Sequence, residues 1–174
     1  MFEKLTNKLI PDLKETSSLY RAKIGIFQGK ISIAVNSFLF TAKFTLGLIT
    51  GAISLIADAI HTLSDMITSL IVIWGFKQSD KPADSQHPYG HGRAEYVATL
   101  IIAVLLCVAG IEFIEISIDR IQNPAISEPE WWMVGLIFFT ILIKEFTARY
   151  AKFLSSKIVS GLLQADAWHH RMDA

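Results

Sequence analysis

Two ten-residue stretches carry the side chains best able to do chemistry: ADAIHTLSDM at 57–66 and ADAWHHRMDA at 165–174. Aligned, Ala57, Asp58, Ala59, His61 and Asp65 fall on Ala165, Asp166, Ala167, His169 and Asp173. Offsets of three and four put Asp58, His61 and Asp65 on one helical face, and likewise Asp166, His169 and Asp173. His61 and Asp65 from one helix, with His169 and Asp173 from the other, make a two-nitrogen, two-oxygen set. Such a set suits a tetrahedral divalent ion, Zn²⁺ best. A helix pair joined by His–Asp hydrogen bonds without an ion is the alternative, and the repeated spacing favours the metal. Asp58 and Asp166, one turn earlier, are expected to stand behind the ligands or to admit the ion; capping and hydration near the membrane surface are their other use. His170 points about 100° away from His169. It is expected to support the ligands or contact a helix rather than to ligate.

These motifs need helices to hold them, and the composition says where the helices lie. The chain has 174 residues, 52% hydrophobic and 18% charged, with a mean hydropathy of +0.42. Soluble domains carry about 25% charge, and here the apolar residues come in long blocks. A bilayer span takes about 20 apolar residues. Such blocks lie at about 24–50, 52–76, 96–118 and 131–150, and a fifth runs over 158–174. The expected fold is an all-α, polytopic membrane helix bundle, with an N-terminal segment over 1–23 and a transmembrane domain over 24–174. An ionisable group in mid-span costs at least about 2.5 kcal/mol on insertion scales, so the two motif faces must turn toward each other or toward a wet cavity.

The fourth span is uncharged only from Trp131 to Ile143, so Lys144 is expected to snorkel to the interface. Trp131 and Trp132 would form an aromatic belt at its start, and Pro129 fits its first turn. Lys43 is expected to pair with an acid on a neighbouring helix, Arg93 with Glu95, and Arg171 with an acid on another helix. The lone Cys107 excludes an internal disulfide and is expected to pack as a small apolar side chain.

Most of the 16 basic residues cluster in three places: the first 30 residues, the loop around 77–93, and the connection over 144–157. The positive-inside rule puts the N-terminus and the 77–95 loop in the cytoplasm. No secretory signal stands out, and nothing points to nucleic acid.

The motifs ADAIHTLSD and ADAWHHRMD, with HPYGHGRAE between them, resemble the cation diffusion facilitator family over roughly residues 20–174. The resemblance implies a bundle of six transmembrane helices, usually followed by a cytoplasmic ferredoxin-like domain. It implies export of divalent transition metals in exchange for protons, and a homodimer in the full-length form. The ligands it carries over are His61, Asp65, His169 and Asp173, the first of them pointing to zinc; Cd²⁺, Fe²⁺, Co²⁺ and Mn²⁺ stay open as substrates. In some relatives the loop holds a second metal site, which here would use Asp84, His87 and His91; a solvated turn is the alternative. Five of the six family helices are expected, the chain being read as a fragment that stops inside the fifth. The expected location is a multi-pass place in a bacterial inner (plasma) membrane.

Two other function classes compete with a carrier. A zinc hydrolase of the HExxH type lacks its motif, and a closed four-ligand site leaves no position for a catalytic water. An enzyme is therefore not expected. A non-transporting metal-binding scaffold or sensor fragment is the alternative to a proton-coupled zinc carrier working by alternating access.

Overall fold

The computed structural model describes residues 18–123 and 131–174. Pro129, expected in the first turn of the fourth span, and the basic residues before Ser18 lie outside the described residues. The described residues form five α-helices and no strand: α1 (Ser18–Thr50), α2 (Ile53–Ser79), α3 (Ala94–Gln122), α4 (Trp131–Ile158) and α5 (Gly161–Asp173). The first four are long and apolar enough to cross a membrane. At 1.5 Å per residue, the 13 residues of α5 cover about 20 Å, less than a full hydrocarbon core of about 30 Å.

The surface is apolar, as lipid requires. Leu100, Val104, Val108, Ile111 and Ile114 of α3, and Ile137, Phe138 and Leu142 of α4, all point outward. Cys107 lies exposed on this surface of α3 rather than inside. With the four long helices, this coat makes the chain a multi-pass membrane protein.

The bundle's tightest seam runs between α1 and α2. Gly25 and Gly29, one turn apart on α1, lie against Phe76 and Ile73 of α2. Small residues at that spacing let two membrane helices approach closely. Gly51, at φ +68°, makes the short reversal between the two helices. The α4–α5 connection is equally short. Val159 takes a left-handed φ of 49°, and the Ser160 side chain then caps α5 by accepting from the Leu163 amide at 3.3 Å.

One end of the bundle, where α1, α3 and α5 begin and α2 and α4 finish, is here termed the basic end. Its core joins Tyr20 and Ile24, Val72 and Phe76, Ala98 and Ile102, Leu154 and Ile158, and Leu162 and Leu163, so all five helices meet there. Arg21 of α1 clamps it, donating to the Ile158 carbonyl and to Glu95 at 3.0 Å, while Ser160 donates to Glu95 at 2.6 Å. Glu95 is thus taken by Arg21, not by its neighbour Arg93. Long-range closure wins over a local pair because Arg21 also satisfies carbonyls freed at the end of α4.

Candidate metal centre

Asp65 sits near the middle of α2, and Asp173 about 18 Å along α5 from its first residue. Both therefore lie deep in the bundle. His61, Asp65 and Asp173 each offer a ligand atom within 4.8 Å of the others. His169 Nε2 lies 3.6 Å from Asp65 Oδ1 and 3.8 Å from Asp173 Oδ2. His61 Nε2 lies 3.9 Å from the same Oδ1 of Asp65. Asp65 is thus the hub: one of its oxygens faces both imidazoles. Its side chain is 4% exposed, whereas that of His61 is 45% exposed and forms the open edge of the group.

A tetrahedral ion with bonds of about 2.0–2.2 Å sets its ligand atoms roughly 3.3–3.6 Å apart. The separations from Asp65 Oδ1 to the two imidazoles, 3.6 and 3.9 Å, come close to that, but His169 does not join His61, Asp65 and Asp173 in one group within 4.8 Å, so α5 must shift toward His61 for all four to share an ion. His169 Nε2 is buried and makes no hydrogen bond among the described residues. An imidazole nitrogen left unpaired beside two carboxylates is poised for a cation.

Lys144 does not behave as its sequence position suggests. It lies about 20 Å from either end of α4, too far to reach an interface, and is 4% exposed. Its Nζ donates to Asp65 Oδ2 at 2.8 Å and to Asp173 Oδ2 at 2.7 Å. One ammonium thus ties α2, α4 and α5 together. It also fixes Asp173, the last residue of α5.

The supporting residues divide. Asp58 turns to α1, where Lys43 Nζ lies 2.9 Å from Oδ2 and donates also to Thr62 at 3.1 Å. This is the neighbour-helix partner for Lys43, and it draws Asp58 away from the four-residue group. Asp166 and His170 are fully buried against α1. His170 Nε2 lies 2.8 Å from Ser32 Oγ and 3.6 Å from Asp166 Oδ1, and Gln28 donates to Asp166 Oδ2 at 3.4 Å. Gln28, Ser32, Asn36 and Ser69 form a buried polar lining that the motifs did not announce; atoms of Gln28, Asn36 and Ser69 lack hydrogen-bond partners among the described residues. Their signal in the sequence is one polar residue every four along α1, at 28, 32 and 36. Arg171 approaches Glu145 of α4 at 3.9 Å.

At the basic end, the loop brings Asp84, His87 and His91 together. Asp84 Oδ1 accepts from the backbone amides of His87 at 2.6 Å and Gln86 at 2.9 Å, closing a turn on itself. The His87 amide, helped by the His87 ring, holds the Asp84 carboxyl below its usual 3.8. His91 Nδ1 faces the Pro82 carbonyl at 3.2 Å, which can only accept. A proton on Nδ1 satisfies that carbonyl and makes Nε2, 3.5 Å from Asp84 Oδ2, the nitrogen that could ligate.

A depressed folded-state carboxyl gives a turn that is intact above the ordinary carboxylate range and is lost only as pH falls through the lowered value. Acid release of a loop metal then comes from protons competing with it for the imidazole nitrogens. In a chain also carrying Asp65→Asn, zinc binding at the loop is expected to fall between pH 7.5 and 5.5. Asp84→Asn, which keeps the turn's acceptor, is expected to weaken it about 10-fold or more, the loss typical of even an orienting group. Calorimetric titration with zinc checks both.

A cation efflux transmembrane domain model matches residues 29–174. An uncharacterized transporter of Methanocaldococcus jannaschii is 41% identical over 83% of this chain and 51% of its own length. Magnetosome protein MamM of Magnetospirillum gryphiswaldense is 29% identical over 84% of this chain and 46% of its own length. Metal tolerance protein C1 of Arabidopsis thaliana is 29% identical over 83% of this chain and 34% of its own length. The chain thus spans about half, or less, of the curated relatives it matches.

Proposed function

The chain belongs to the cation efflux, or cation diffusion facilitator, family, and from that premise we propose that it carries a divalent transition metal, zinc first, across the membrane. One observation carries the reading: His61 and Asp65 of α2 converge with His169 and Asp173 of α5 in the depth of the bundle. Two imidazoles and two carboxylates are the donor set that zinc favours, and without thiolates the set can release it. Four protein donors closing on one tetrahedral ion would fill its shell, which favours a carrier over an enzyme. Metal binding needs neutral imidazole and ionised carboxylate, so a histidine that gains a proton as the metal leaves couples zinc to protons moving the other way. The basic end faces the cytoplasm in this reading, the transmembrane domain covers 24–174, and the longer form is a homodimer in the inner membrane of a bacterium. The loop cluster Asp84–His87–His91 receives metal near the cytoplasmic mouth.

The test is zinc flux into vesicles holding the purified chain and a trapped zinc-sensitive dye. Flux that His169→Ala abolishes and an opposing pH gradient accelerates is the expected result. Zinc held tightly with no flux would favour the scaffold reading. Flux blind to the pH gradient would remove the proton exchange.

A further inference from the structure

Lys144 has no part in the four-ligand reading, yet it occupies the heart of the group. Its ammonium bridges one oxygen of Asp65 and one of Asp173, at 2.8 and 2.7 Å, the short end of charge-assisted hydrogen bonds. The groups facing it there are these two carboxylates, with the His169 imidazole beside them; His61 stands on the far side of Asp65. Asp173 Oδ2 is the decisive atom. It is the oxygen that Lys144 holds, and also the oxygen nearest His169 Nε2, at 3.8 Å. An ion bonded to His169 through the nearer Asp173 oxygen takes the oxygen Lys144 already holds. A divalent ion and an ammonium within a few ångströms of each other also repel strongly in a medium poorer than water.

We propose that Lys144 is a tethered competing cation: zinc enters the site by displacing its ammonium from Asp65 and Asp173, and the ammonium's return expels zinc. The inference rests on the metal-site reading and adds how the site lets go. Buried carboxylates on two helices would otherwise hold zinc too tightly for turnover, and would repel each other once it left. A lysine does both jobs through its length. Its stem is anchored on α4 while its head is free to leave the carboxylates and return.

The test measures zinc affinity, by competition with a chelating dye, and zinc release, by rapid mixing with excess chelator, in micelles of the purified chain. Lys144→Gln is expected to bind zinc about 10-fold or more tightly and to release it correspondingly more slowly. Lys144→Arg, which keeps the charge, stays near the wild type. A folded Lys144→Gln chain, judged by its helical circular dichroism and melting temperature, that binds zinc equally or more weakly overturns the proposal and leaves the lysine a structural clamp. A second measurement covers a variant that does not fold. Acylation of Lys144 in the unaltered chain, followed by mass spectrometry, is expected to rise severalfold on adding zinc; unchanged labelling overturns displacement. Failure of the site itself reads differently: zinc affinity is then the same in the unaltered chain and in Asp65→Asn.

Discussion

Asp65→Asn is expected to lower zinc affinity by at least about 100-fold while leaving the helices in place. The substitution keeps one oxygen for Lys144, which now lies 2.8 Å from Oδ2, and replaces the other, with the charge, by an amide nitrogen that cannot ligate. Asp65 is the residue to choose because its Oδ1 alone faces both histidines, at 3.6 Å and 3.9 Å, while its Oδ2 takes the lysine. The size follows from comparison. Groups that merely orient a metal ligand are worth about 10–100-fold, so a buried ligand at the hub must exceed that range. Alanine would be the poorer probe, since it leaves Lys144 with one carboxylate fewer in a buried place, and breaking a buried pair costs about 3–5 kcal/mol. Dye-competition titration at pH 7.5 reads the affinity, and circular dichroism the helices. An Asp65→Asn chain that binds zinc as the wild type does removes Asp65, and with it the hub, from the site.

The sequence disclosed the pair of motifs because their chemistry is periodic. Three polar groups at offsets of three and four in an apolar block can only be a face, and two such faces in one bilayer must meet or find water. The long spans were legible for the same reason, since lipid admits little but apolar helices. Helix ends were less so. α4 runs on to Ile158, past the expected 150, because Arg149, Lys152 and Lys157 are as content in a helix near the basic end as in a loop. The stop comes from Val159 and Ser160, whose left-handed turn and cap are local events. Lys144 is buried rather than snorkelling because α4 runs on about 20 Å past it; near an expected span end a lysine ordinarily reaches the interface. Partner choice stayed hidden as well. Nothing in the spacing of Glu95 shows that Arg21, far away in sequence, will claim it.

Gly75→Ala is expected to destabilise the bundle by about 1–3 kcal/mol, the usual cost of an extra methyl in a filled core, and to weaken zinc binding with it. A Cβ at Gly75 would stand 2.6 Å from Ala98 Cβ of α3 and 2.8 Å from Leu162 Cδ2 of α5. Ala98 has no rotamer to yield, so the helices themselves must part. The site feels this because Gly75 and Asp65 share α2, and Leu162 lies on α5 with His169 and Asp173. Moving α5 off α2 at the basic end tilts the two ligand pairs apart, although the methyl lies about 15 Å along α2 from Asp65. The matched control is Gly110→Ala on α3, where nothing lies within 4 Å of the added carbon. There the change is expected to stabilise the helix, since alanine is the better helix former by about 1 kcal/mol. Measured in the same micelles, the two variants should part: Gly75→Ala melts lower and binds zinc more weakly, whereas Gly110→Ala melts higher and binds zinc unchanged. Equal melting of both alanines would mean that α2, α3 and α5 do not meet at Gly75. A Gly75→Ala chain that melts lower yet binds zinc as before would mean that the packing at the basic end does not set the spacing of the ligands.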